Sequence, residues 1–314
     1  MDVQKQKNAV AVLSVASNTL LVIAKLVIGL AIGSVSVLSE AIHSGVDLVA
    51  ALIALFAVRT SGKPADEQHS FGHGKIENIS GAVEAVLIFL AAGWIVYEAI
   101  GKLVDPQPME KVGLGVGVML ASAVVNTIVS HMLFKVARRT DSVALKADAW
   151  HLRTDVWTSA GVMAGLGLIW VGEAIWPGRH FHWIDPVVAI AVALLIVRAA
   201  WDLTTQAGRD LMDANIAAPE QEWLRQYLLN LKGDTGQPDI HGYHKLRTRK
   251  AGGTRFVEFH LFVSPGMSVD EGHRIAQIVK ADIRKHLPNC DVLIHIEPYD
   301  PSRDSQRRRA RTEH

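Results

Sequence analysis

Six stretches of the chain are each long and apolar enough to cross a lipid bilayer, and this limits the possible fold more than any other feature. About 20 mostly apolar residues cover the ~30 Å hydrocarbon core; residues 10–32, 35–58, 79–100, 113–137, 144–171 and 184–205 qualify. Backbone in lipid must satisfy its own hydrogen bonds, so each stretch reads as a helix. Lys5 and Lys7 precede the first stretch, but it is longer than a signal-peptide core and no A-x-A-like cleavage site follows, so it reads as a mature helix. The connections on one side of the spans hold Lys5, Lys7, Arg59, Lys63, Lys75, Lys135, Arg138 and Arg139, whereas the other side holds Lys102, Lys111 and Arg179. That excess of Lys and Arg places both termini in the cytoplasm.

Beyond about residue 205 charges are spread throughout and no apolar run is long enough to span. Residues 219–231 read as an amphipathic helix, with Trp223, Tyr227 and Leu231 four apart. Residues 243–249 and 255–263 alternate as strands around a glycine-containing turn, 268–287 form a second helix opened by Ser268 and an acidic first turn, and 291–297 alternate again. The order αββαβ predicts a small two-layer, ferredoxin-like α+β domain. The expected division is a six-helix membrane domain over 1–209, a cytoplasmic domain over 210–300 and a charged disordered tail over 301–314.

The formal net charge is +1, so no overall field argues for nucleic acid as a partner. Cys290 is the single cysteine, which excludes an internal disulfide and any cysteine-ligated zinc or cluster. Metal chemistry must then use carboxylates and some of the 14 histidines.

Ionisable residues inside spans are costly and are functional candidates by default. His43 and Asp47 in the second span, and His151 and Asp155 in the fifth, share an HxxxD spacing that puts imidazole and carboxylate on one helix face. A single pair would equally suit a polar contact between helices. Two pairs on neighbouring helices complete an N2O2 shell, which suits tetrahedral Zn²⁺ and suits Mg²⁺ or Ca²⁺ poorly; Fe²⁺ and Mn²⁺ also accept such ligands. Glu84, Glu98 and His131 have no partner at ligand spacing and read as bundle contacts or helix-end groups. Asn18 and Asn126 suit hydrogen bonds between helices, and Lys25 needs an acceptor or a route to the surface.

The run Asn18, Lys25, Gly29, Ser34, Ser39, His43, Ser44 and Asp47, with the fifth-span segment from Ala147 through His151 to Asp155, resembles the cation diffusion facilitator family of zinc/proton antiporters. The resemblance covers nearly the whole chain. It implies a homodimer in a membrane, here a bacterial inner membrane, that exports divalent metal from the cytosol against inward proton flow. His43 stands where bacterial members carry Asp, as in the animal zinc transporters. The resemblance also implies a loop metal site at Asp66, His69 and His73, a binuclear dimer-interface zinc site at His244, His260, His273, His295 and Glu297, and a charge interlock between Lys75 and Asp213. Glu297 replaces an Asp of the bacterial pattern. His241, His286 and His314 read as ordinary surface histidines. An Fe²⁺ or Mn²⁺ exporter, or a non-transporting metal-dependent assembly partner or sensor, is the alternative. No HExxH motif points to an enzyme.

Overall fold

The computed structural model describes residues 3–32, 35–104, 114–175, 183–231 and 239–303. They fall into two compact units that divide after Leu211.

The first unit contains α1 (Val3–Ile32), α2 (Val35–Ser61), α3 (Lys75–Val104), α4 (Leu114–Thr140), α5 (Val143–Ile175) and α6 (Ile184–Leu211). At 1.5 Å per residue these helices are about 40–50 Å long, so their ends project beyond the hydrocarbon core. Among the described residues five of the helices are apolar enough to span. Lys146, Asp148, Arg153 and Asp155 lie in the first half of α5, which α2, α3, α4 and α6 surround. Ala144, Leu145, Ala147, Ala149 and Leu152 are fully buried there, so the first half of α5 faces protein and its charges are kept from lipid.

Two local devices set the approach of α5 to its neighbours. Asp141 adopts a left-handed φ of +54°, and Ser142 N–H bonds back to Ala137 C=O at 3.1 Å, which ends α4 and starts α5 within two residues. On α3 a Cβ at Gly81 would lie 2.8 Å from Val143 Cγ1, so this close α3–α5 contact requires glycine. The ends of the helices meet at Glu77. Lys7 Nζ lies 2.6 Å from Glu77 Oε1, Ser61 Oγ donates to the same oxygen at 2.7 Å, and Ser142 Oγ donates to Oε2. One carboxylate thus clasps α1, α2, α3 and the start of α5.

The second unit contains α7 (Ala218–Asn230), β1 (Ile240–Ala251), β2 (Thr254–Val263), α8 (Val269–His286) and β3 (Cys290–Pro298). The sheet order is β1-β2-β3, with β1 antiparallel to β2 and β2 parallel to β3. A parallel pair needs a crossover, and α8 supplies it. Leu224 and Leu228 of α7, Val257, Phe259 and Leu261 of β2, Ile275, Val279 and Ile283 of α8, and Val292 of β3 form the core. Because strand side chains alternate, placing the odd residues of β2 against the helices turns His260 to the other face. Ser268 and Glu271 form a reciprocal capping box at the start of α8. The αββαβ order is the one read from the sequence, with β1 starting three residues earlier than its alternation suggested.

Candidate metal centres

The two HxxxD pairs come together in the first unit. His151 Nε2 lies 3.1 Å from Asp47 Oδ1, and His43 Nε2 lies 3.9 Å from Asp155 Oδ1. Ligand atoms of His43, Asp47 and Asp155 all fall within 4.8 Å of one another. Each helix contributes one imidazole and one carboxylate, and each carboxylate faces the imidazole of the other helix. Asp47 and His151 are buried, whereas His43 is half exposed. Asn126 of α4 reaches Asp155 Oδ2 at 3.5 Å, and Lys25 of α1 finds its acceptor in Ser44 Oγ at 2.8 Å. The four residues line a cavity of about 550 Å³ that extends to Glu98, Lys102 and Asp185 near the far ends of α3 and α6. Glu98, read from sequence as a lone contact, pairs with Lys102 at 3.0 Å. His131 is exposed.

A second cluster forms in the loop between α2 and α3. Asp66 Oδ1 accepts the backbone N–H groups of His69 at 2.7 Å and Gln68 at 3.0 Å, while its Oδ2 lies 3.3 Å from His73 Nε2. The His69 and His73 ring centroids are 4.4 Å apart. Gly72, at φ +79°, provides the turn between them. The backbone N–H of His69, above all, holds the Asp66 carboxyl below its ordinary range, so it is ionised and ready to bind a cation at neutral pH.

The third cluster rests on strand register. His244 pairs with His260 across β1–β2, and His260 pairs with His295 across β2–β3, so three histidines form one row on the sheet face away from the helices. Glu297, two residues after His295, shares that face. Its Oε1 is 2.6 Å from His260 Nδ1 and 3.8 Å from His295 Nε2, and its Oε2 is 3.0 Å from His244 Nε2. Burial opposes the charge on Glu297, but hydrogen bonds with His260 and His244 outweigh it and hold the carboxyl below its ordinary range. A β-bulge follows His244, with Lys245 at φ +52°, and such bulges re-aim neighbouring side chains. His273 lies outside this group, in the first turns of α8, with Nε2 3.4 Å from the Gln277 amide. Of the expected charge pair, Lys75 donates to Leu211 C=O at 3.4 Å and Asp213 lies 3.6 Å from Arg249.

Residues 11–212 match the profile of the cation efflux transmembrane domain, and residues 235–299 match that of the cation efflux protein cytoplasmic domain. The chain is 32% identical over 274 residues to an uncharacterised transporter of Synechocystis, covering 87% of this chain and 84% of that one. It is 34% identical over 266 residues to the cation-efflux pump FieF of Citrobacter koseri, covering 85% and 84%. It is 33% identical over 288 residues to FieF of Escherichia coli, covering 92% and 91%. A solved chain of CzrB, 30% identical, covers 27% of this chain and 100% of that one, with a TM-score of 0.25.

Proposed function

The chain belongs to the cation diffusion facilitator family of multi-pass membrane cation-efflux transporters, and from that membership we propose that it exports Zn²⁺ from the cytosol in exchange for protons. The observation that carries the reading is the meeting of His43, Asp47, His151 and Asp155 at the inner end of one cavity. Two imidazoles and two carboxylates suit tetrahedral Zn²⁺, and in this reading they are the transport site. Zn²⁺ binds only the deprotonated forms of these groups, so metal and protons compete for the same atoms and exchange follows.

Asp66, His69 and His73 act in the same reading as a loop site. His244, His260, His273, His295 and Glu297 act as a regulatory site that joins two cytoplasmic domains in a homodimer. The organisation is a membrane domain over 1–209, a cytoplasmic domain over 210–300 and a tail over 301–314. Both termini face the cytoplasm of a bacterial inner membrane, as the distribution of Lys and Arg supports.

The test is metal flux into proteoliposomes with Zn²⁺, Cd²⁺, Fe²⁺ and Mn²⁺ under an imposed pH gradient. Zn²⁺ flux that rises with the gradient is expected. Preference for Fe²⁺ or Mn²⁺ would move the assignment to those ions, and absence of any flux would favour a metal-dependent assembly partner or sensor.

A further inference from the structure

The cavity reaches the four ligands from one end of the helix bundle, where its lining includes Glu98, Lys102 and Asp185. At the other end the Glu77 clasp closes the bundle. Between the clasp and the ligands lies a buried polar group that metal coordination does not use. On α1 the buried residues Lys7, Ser14, Asn18 and Lys25 follow one another at intervals of seven, four and seven, which keeps them on one face. On α3 Glu84 comes seven residues after Glu77, two turns or about 10 Å further in. Asp148 of α5 comes six residues after Ser142. Gly81 of α3 packs against Val143 and Ala147 of α5, which sets Glu84 and Asp148 beside the close contact of these two helices.

Glu84 is 0% and Asp148 1% exposed. Both oxygens of Asp148, Glu84 Oε2, Ser14 Oγ and Asn18 Nδ2 are buried without a hydrogen-bond partner, and the other Glu84 oxygen accepts from Ser80 at 3.3 Å. Among the described residues no basic side chain pairs with either acid. The charged group acting on Glu84 is Asp148; those acting on Asp148 are His151 and Asp47, with the neutral Ser14 facing it from α1. From α6 the neighbours in this layer are Ile196, Ala200 and Leu203, all apolar. Asp148 makes no hydrogen bond to any of the four ligands. Desolvation and mutual repulsion oppose ionisation of both acids at once, and the His151 imidazole is the charged group that favours ionisation of Asp148.

We propose that Glu84 and Asp148 form a proton store on the closed side of the metal site, separate from the cavity through which the metal passes. This rests on the proton-exchange reading above. With the ligands free of metal, the pair holds one proton on one carboxyl. When Zn²⁺ binds, the proton displaced from a ligand adds to the remaining carboxylate oxygen of the pair. One proton then leaves toward the Glu77 end and restores the singly protonated pair.

The test uses the full-length protein and the variants Glu84→Gln and Asp148→Asn. Because the pair begins and ends singly protonated, Zn²⁺ affinity at fixed pH and the protons released per Zn²⁺ at equilibrium are expected to stay at the wild-type values, while the rate of proton release on Zn²⁺ binding falls. Zn²⁺ flux in proteoliposomes is expected to lose its acceleration by a pH gradient. An unchanged rate of proton release and an unchanged gradient response in folded variants overturn the store and leave the exchange reading standing. A wild-type protein that releases no proton on binding Zn²⁺ overturns both. If the variants do not fold, infrared spectra of the wild-type protein in H₂O and D₂O decide. A deuterium-sensitive protonated-carboxyl band at neutral pH supports the store, and ionised carboxylate bands alone overturn it.

Discussion

In the proposed transport site, loss of the Asp155 or Asp47 carboxylate would leave the metal with an open coordination position. Asp155→Ala or Asp47→Ala is therefore expected to abolish Zn²⁺ flux in proteoliposomes while the protein still inserts and dimerises, and flux at the wild-type rate would reject the site. His43→Asp replaces a nitrogen by an oxygen, so Cd²⁺ or Mn²⁺ flux is expected to gain relative to Zn²⁺; an unchanged selectivity profile would remove His43 from the ligands. Glu77 carries a different load. Its ion pair with Lys7 is buried on both sides, 8% and 1% exposed. Lys7→Met leaves that carboxylate without its cation and is expected to destabilise the fold by about 3–5 kcal/mol, read as a fall in melting temperature. These residues differ in how plainly the sequence announces them. The HxxxD pairs are legible because both members of each lie one helical turn apart. Glu77, Glu84 and Asp148 each look like a lone acid in an apolar run, since their neighbours come from other helices, as when Ser142 meets Glu77 across 65 positions.

At the scale of elements, α5 joins a charged first half to a mostly apolar second half. Lys146, Asp148, Arg153 and Asp155 fall in the half that carries the HxxxD motif, and the helices around that half make them tolerable. The strands of the cytoplasmic domain pose a difficulty of register. Alternation places His295 and Glu297 on one face, but only the register of β1 with β2 and β2 with β3 puts His244 and His260 beside them. From the residues alone that row was not derivable; the resemblance supplied it. The start of α8 was legible from Ser268 and its acidic first turn, and the capping box makes a pH-dependent expectation possible. Hydrogen bonds from the Ser268 hydroxyl and backbone N–H hold the Glu271 carboxyl below its ordinary range. A carboxyl lowered in this way stabilises the folded state above its unfolded value, near pH 4.3, and loses that contribution as pH falls through its folded value. Glu271→Gln is thus expected to weaken amide-exchange protection of the first turn of α8 at pH 7, with the gap to wild type closing below about pH 4. Ser268→Ala is expected to cost roughly 0.5–2 kcal/mol in the same region at neutral pH.

For the whole molecule, the change in composition near residue 205 already separated two units, and the structure divides after Leu211. If the histidine row holds Zn²⁺ across a dimer as proposed, the metal binds the folded dimer in preference to separated chains and raises its stability by mass action. The full-length protein is expected to show a Zn²⁺-dependent rise in melting temperature and tighter dimerisation. His260→Ala combined with His295→Ala is expected to remove most of that rise and to weaken transport at low zinc without ending it; full retention of the zinc effect would mean the row is misassigned. Affinity at the transport site is expected to fall as pH drops from about 7.5 to 5.5, because the protonated imidazole cannot donate to Zn²⁺. A flat profile measured by calorimetry would count against proton exchange. The carboxylate that gathers four helix ends also concerns the cell that makes this protein. A membrane potential is worth about 2.3 kcal/mol per elementary charge for each 100 mV, and a continuous thread of water through a carrier would let ions run down it without doing work. With Glu77 in place, a cavity open at one end is a dead end. Cells producing a Glu77→Ala protein that still inserts would therefore be short of energy before they were short of metal tolerance, and would grow poorly even in medium with no excess zinc.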